Sequence, residues 1–593
     1  MKKQIRLLSL LLVLVMLFCS CQNLTTPETT TAAPTTEPTE APSETPSDEP
    51  SEEPSEEPTE ETYSEFTYPD TLETVAPEDQ ITYSRDENTL TRDEVLAMYT
   101  LTEEDYDNAI DLLYAFRDLG LTSDNYDEVD AKYYEFEDAF YHLQNQSSIA
   151  NIIYYCDTTD EYGKEIHQVA DDLMRDLQDE YIEVCKQLYN ESPFKDDLFA
   201  DWTEEEIQEM LDYNPEVNEL RKRNDEIVIE YNALSSSEQY QKIGEYYVEF
   251  IQNNNRIAEL YGYDNYYDYA TENVYGRDYT RTELEQFRNN FLQYLYPEEN
   301  NILSNYTHWA SKNTSAKNNV WKSFQKKAFD KLSAQNYLIG YANSAPGGRG
   351  EAMRHMFINK NVIVTDNANA HMSAFQTYLP EFETPFCLFG ASKNSETVAH
   401  ELGHYYAALT NPDLTSLDLM ETHSQANEYL FLCYVKEHME ENVFNAMMAY
   451  NMYNNYAMIM ICLIIDEFEQ TVYSLDSVEG FTAGDFDAIV EEICEKYGGM
   501  DRIGDTFTDI QSYWRMIVLT SPVYYVSYAV SLTEALNIYA IAREDAVRAH
   551  YVYEFIVEKA IPEDGFLITL KKAGLSSPFD AETIISIAEM MTP

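Results

Sequence analysis

His400 and His404 stand four residues apart with Glu401 between them, in the stretch His400-Glu401-Leu402-Gly403-His404. Positions i and i+4 of an α-helix project from nearly the same face, so the two imidazoles can reach one tetrahedral zinc ion. Glu401 then lies beside the metal rather than on it, where a general base takes a proton from an activated water. The surrounding residues, Thr397 to Tyr406, read as continuous helix. The chemistry on offer is metal-assisted hydrolysis.

An open zinc site of this kind takes three protein ligands and keeps its fourth position for water or substrate. The third donor can come from a neighbouring helix, and Glu421-Thr422-His423-Ser424-Gln425-Ala426-Asn427-Glu428 lies in a Leu-, Met- and Tyr-rich segment that reads as the next one. With this segment the chain resembles the thimet oligopeptidase and oligoendopeptidase F family of zinc metallopeptidases. In that family a glutamate ligand opens an E-x-x-S-x-x-N-E stretch after the histidine helix, and Glu421, Ser424, Asn427 and Glu428 occupy those places. The resemblance implies Glu421 as third ligand of a single zinc ion. It also implies Glu428, two turns further along the same face, as the carboxylate that orients a ligand histidine. His423 points to another face and reads as structural.

The resemblance extends to both flanks. Ser373-Ala374-Phe375 and Pro385-Phe386-Cys387-Leu388-Phe389-Gly390 are similar to the family's Gly-Ala-Phe stretch and to the strand before its zinc helix. An edge strand there could hold an extended peptide by main-chain pairing, with Phe389 and Gly390 among the substrate contacts. Downstream, Pro522-Val523-Tyr524-Tyr525-Val526-Ser527-Tyr528-Ala529 is similar to the family's tyrosine block. A phenol aimed at the reacting carbonyl donates a hydrogen bond to the developing oxyanion. Tyr528 is the first choice for that role, with Tyr524 and Tyr525 as substrate-binding neighbours. The histidine that relatives carry a few residues before these tyrosines is absent from Trp514 to Thr520.

Long segments with three-and-four spacing of Leu, Ile, Tyr and Phe surround these motifs, as in Leu96 to Phe116, Tyr133 to Leu188 and Val248 to Tyr275. Such periodicity predicts a mainly α protein. Strand-like runs are few, chiefly Val362 to Val364 and Phe386 to Phe389, which predicts one small sheet beside the histidine helix. Gly347-Gly348-Arg349-Gly350 reads as a mobile loop, since it lacks the setting of a phosphate cradle. The resemblance implies a two-lobed zincin-type peptidase with a deep central channel. Residues 90–345 would wall that channel and residues 346–593 would carry the zinc.

The first residues carry a different message. Lys2, Lys3 and Arg6 precede an apolar run from Leu7 to Phe18, and Phe18-Cys19-Ser20-Cys21 resembles a bacterial lipobox, which predicts a leader over 1–21 and lipidation at Cys21. Residues 22–89 read as a stalk. From Thr25 to Thr62 it is almost wholly Thr, Pro, Ser, Ala and Glu, with 12 acidic residues and no basic ones, and cannot form a core. At ~3.1 Å per residue an extended stretch of that length reaches roughly 100 Å. The layout resembles that of Gram-positive surface lipoproteins, and the expected location is extracytoplasmic, with a lipid anchor as the sole membrane contact.

A net charge of −69 argues against nucleic-acid partners; it reads first as a solvated acidic surface, with attraction of cationic peptides and divalent ions as the alternative. The body cysteines at 156, 185, 387, 433, 462 and 494 form no C-x-x-C pair and read as buried thiols. The function implied is a monomeric zinc oligoendopeptidase cutting short unstructured peptides. A metallo-exopeptidase on the same scaffold and a non-catalytic peptide-binding lipoprotein are the alternatives.

Overall fold

The computed structural model describes residues 68–592, apart from 73, 201, 313–328, 330–331, 372–373, 391–392, 413, 415, 501 and 504–509. The leader with Cys21, the stalk to residue 67 and Ser373 therefore lie outside the described residues.

Helices α1 (Glu103–Leu119), α2 (Tyr126–Cys156) and α3 (Glu161–Glu191) open the body. Their facing stripes place Leu113, Phe116, Tyr133, Phe136, Phe140 and Tyr181 in one core, where the Phe136 and Tyr181 rings stack at 5.5 Å. The periodic run from Tyr133 to Leu188 is two helices, not one. Asp157 leaves the helical region at ψ 95, and Asp160 caps α3 by accepting from the Gly163 amide.

The C-terminal half of α2 turns to a separate cluster in which Ile149, Ile152 and Ile153 pack on Ile363, Phe375, Phe386 and Leu388. Those last residues belong to the predicted small sheet. Strand β1 (Val362–Val364) runs parallel to β3 (Thr384–Phe389), and β2 (Ala374–Leu379) runs antiparallel to β3 on its other side. Central β3 is buried at every position after Thr384, which is why its sequence is nearly all apolar. Leu90 adds a parallel bridge beside Ile363, so the chain leading into the body covers the β1 edge.

A third and larger core runs from Val217 to Met591. It joins α4 (Glu216–Asn232) and α5 (Ser236–Leu260) to α6 (Ser395–Thr410), α7 (Leu417–His438), α8 (Glu441–Tyr473), α9 (Val526–Glu544) and α10 (Ala546–Glu558). Tyr247, Phe287 and Tyr341 share it with Leu402, Phe431 and Tyr525. Side chains from both sides of residue 345 contribute to this core.

Gly347 to Gly350 correct the expectation of a mobile loop. They form the first turn of a helix, Gly347–Ile358, wedged against α6 and α10. Gly347 takes a left-handed φ of 62°, and a Cβ there would strike Glu554, while one at Gly350 would strike the Ala345 carbonyl. The glycines allow close packing, which a sequence pattern cannot distinguish from looseness. Among the described residues no helix is long and apolar enough to cross a membrane, and the six body cysteines are free thiols, five of them buried.

Candidate metal centre

Helix α6 starts where Asn394 accepts the Thr397 amide at 2.9 Å, and every residue from Thr397 to Ala407 is buried. A helix closed in on all sides must satisfy its polar groups internally. Helix α7 begins after the connection 411–416, with Ser416 as its cap, and returns directly against α6. The two backbones meet at Gly403, where an added Cβ would lie 2.6 Å from the His423 carbonyl oxygen and 2.6 Å from the Ser424 Cα. Asn427 ties the pair further, donating to the Ala399 carbonyl at 2.6 Å while its own oxygen accepts from Tyr341 at 2.9 Å.

This approach gathers three donor atoms. His400 Nε2 and His404 Nε2 are 3.2 Å apart, and Glu421 Oε2 lies 3.6 Å from the first and 3.8 Å from the second. Tetrahedral ligands at zinc bond lengths of 2.0–2.2 Å are separated by about 3.3 to 3.6 Å. Two imidazole nitrogens and a carboxylate oxygen, all buried, are therefore spaced to share one ion, and among the described residues no other group of His, Cys, Asp and Glu gathers in this way.

Each donor is aimed by a partner. His400 Nδ1 stands 2.7 Å from Glu428 Oε1, which fixes the proton on Nδ1 and turns the Nε2 lone pair to the centre. Glu421 keeps Oε2 for the histidines because Oε1 accepts the Tyr524 hydroxyl at 2.5 Å, and Ser424 donates to Oε2 at 3.2 Å. Glu401, fully buried one residue along α6, has no hydrogen-bond partner on either carboxylate oxygen. A buried carboxylate with both oxygens unsatisfied, next to a ready donor triangle, fits a site completed by an ion and its water.

Protonation follows the same environment. Burial disfavours the His400 imidazolium, but the Glu428 hydrogen bond and charge, reinforced by Glu421 and Glu401, lift it to about 9. Burial and the neighbouring His400 charge push His404 well down. Burial raises Glu401 to about 8, the Glu421 and Glu428 charges adding to it. Carboxylates therefore hold a proton on His400, a proton that a dication at the same place would displace. His423, by contrast, is buried away from the triangle, its Nε2 2.9 Å from the Ile556 carbonyl oxygen, and burial takes it down to about 4.

The tyrosine block is a turn leading into α9. Tyr524 meets the Glu421 carboxylate, and Tyr528, one turn on, packs its ring 5.2 Å from that of Tyr524. Tyr525 is fully buried with an unpartnered hydroxyl, and its ring lies across Tyr513 at 6.1 Å. Phe389 is fully buried against Phe329, at 5.1 Å, and Gly390 is buried at the end of β3. Phe389 and Tyr525 are packed into the core. The Tyr524 contact to a ligand carboxylate was not legible beforehand, because the family pattern names the tyrosines without saying which one meets the glutamate.

No family model matches the chain, and no curated protein matches it significantly. Solved structures do. PZ peptidase A with an inhibitor is 16% identical with a TM-score of 0.62, the match covering 83% of this chain and 97% of that one. A protein from Bacillus anthracis strain Ames assigned as an oligoendopeptidase F is 15% identical with a TM-score of 0.58, covering 83% and 95%. A protein from Chlamydophila abortus assigned as a peptidase is 11% identical with a TM-score of 0.53, covering 88% and 99%. The chain shares their fold over most of its length.

Proposed function

We propose that this chain is a zinc-dependent oligoendopeptidase that hydrolyses internal bonds of short, unstructured peptides. The observation that carries the reading is the triangle of His400, His404 and Glu421 with the unsatisfied carboxylate of Glu401 beside it. The shared fold agrees with it.

His400, His404 and Glu421 would hold the ion. When bound, zinc supplies Lewis acidity that acidifies a water and polarises a peptide carbonyl. Glu401 takes the proton of the attacking water and passes it to the leaving amine. Glu428 keeps His400 in the tautomer that ligates, and Tyr524 holds Glu421 in place. Tyr528 is the donor assigned to the oxyanion, on the strength of its place one helical turn from Tyr524. The lipid anchor at Cys21, the extended stalk and a location outside the cytoplasm belong to the same proposal and rest on the sequence alone.

The test is digestion of a mixed library of unstructured peptides, read by mass spectrometry, comparing the zinc-loaded protein with Glu401→Gln. Internal cuts by the unmodified protein, reduced at least 100-fold in the variant with zinc still bound, are expected. Ladders losing one residue at a time would move the reading to an exopeptidase. No cleavage by either protein, with zinc bound in both, would leave a peptide-binding protein with a structural metal.

A further inference from the structure

The turn that delivers Tyr524 is strained. Val523 has a φ of 64°, a left-handed conformation that a β-branched residue adopts only under strain. Strain persists where surrounding groups over-determine the backbone, and here buried side chains from two distant elements do so. Tyr275 donates to the Pro522 carbonyl at 2.5 Å. Arg277 Nη2 donates to the Val523 carbonyl at 2.7 Å, to the Tyr524 carbonyl at 3.3 Å and to Ser527 Oγ at 2.9 Å. From the other side, Glu469 on α8 accepts the Val523 amide at 2.8 Å. Arg277 is 5% exposed and Glu469 1%, so both polar groups have left water to grip a backbone. Neither belongs to the sequence motifs around the metal.

We propose that Arg277 and Glu469 are positioning residues. Together they clamp the Val523 turn and so hold the Tyr524 hydroxyl on Glu421, setting the orientation of that carboxylate toward His400 and His404. The clamp joins the segment before the Arg281–Asn290 helix to the metal centre, although more than a hundred residues separate them in sequence. Its last link, from Tyr524 through Glu421 to the ion, rests on the metal reading of the site.

Two readouts separate the parts. Amide hydrogen exchange of the peptide spanning 522–525 is measured on metal-free protein, and zinc affinity by competition with a chelator. Arg277→Lys and Glu469→Met should each speed the exchange tenfold or more and weaken zinc by about tenfold, the low end for losing a residue that supports a ligand. Glu469→Gln, which keeps an oxygen for the Val523 amide, should stay within threefold of the unmodified protein in both. Tyr275→Phe, a milder removal of one bond, serves if the stronger variants do not fold. In a Tyr524→Phe background Arg277→Lys should change zinc affinity less than twofold, because the two act through one path. Unchanged exchange overturns the clamp. Effects on zinc that multiply in the Tyr524→Phe background overturn the path through Glu421. If the unmodified protein binds no zinc, the metal reading fails together with that path, and the exchange data alone decide the clamp.

Discussion

Glu428 shows how a single carboxylate sets up a ligand it does not replace. Its oxygen 2.7 Å from His400 Nδ1 selects the tautomer, and its side chain is 28% exposed, so its removal leaves no large void. Glu428→Gln should weaken zinc binding by about 10- to 100-fold while thermal stability without metal changes little. An unaltered zinc affinity would sink that role. Glu534 on α9 is a different case: fully buried, with Oε1 unpartnered, and held up to about 8 by burial. Its folded value lies above the ordinary 4.5, so below 4.5 both states carry the proton and nothing is lost. As pH rises from there to about 8, the unfolded chain ionises first and stability falls, by about 1.4 kcal/mol for each unit of separation. Glu534→Gln should therefore raise the melting temperature at mildly alkaline pH and leave it alone near pH 4. A gain of equal size at both pH values would show that packing, not ionisation, sets the effect. The two histidines and Glu401 were legible from their spacing on one helix, and Glu421 and Glu428 from the resemblance of the following segment to the family's E-x-x-S-x-x-N-E stretch. Sequence could not show Arg277 or Glu469, whose partners are backbone atoms of a distant turn and leave no pattern of side-chain types.

At the level of elements, the centre exists because α6 and α7 approach until their backbones touch. Gly403 is the point of contact, so its role is packing and not conformational freedom. Gly403→Ala must push the His423 carbonyl away, and forcing a methyl into a filled interface costs about 1–3 kcal/mol. Because the displaced segment carries Glu421, zinc affinity should fall along with the melting temperature. A variant that melts lower yet keeps full zinc affinity would show that α7 yields elsewhere. The pairing of these helices was readable from the need for a third ligand on a neighbouring helix and from the family resemblance of the Glu421 segment. The break at Asp157 to Asp160 was not, since apolar spacing continues across it and only the Asp160 cap marks the new start. The Gly347 to Gly350 turn misled for the opposite reason: glycines that permit tight packing look the same in sequence as glycines that permit motion.

For the whole molecule, the three cores place the first helical unit on the sheet and the helices that carry the His400, His404 and Glu421 triangle in the larger core. The α2 end meets the segment around β2 through Asn367 donating to Asp157 at 2.7 Å and Ser148 donating to the Tyr378 carbonyl at 3.2 Å. Around that junction His142 lies 3.2 Å from Glu381 with Asp105, Glu135 and Asp138 close by, so several carboxylates gather around one imidazole. Across the chain 107 acidic residues oppose 38 basic ones, and a body so charged creates a negative field that reaches beyond contact range. Exposed charges are screened within about 8 to 10 Å at ordinary salt, so the field acts mainly on the approach of substrate. Cationic peptides should therefore be cleaved with a higher kcat/KM than neutral peptides of the same core sequence, and the advantage should shrink severalfold between 20 mM and 500 mM salt. The kcat should hold steady, because attraction at a distance changes encounter and not the chemical step. Parallel salt profiles for the two peptides would mean that the acidic surface serves solvation alone, and selection would then rest on short-range contacts with the bound peptide.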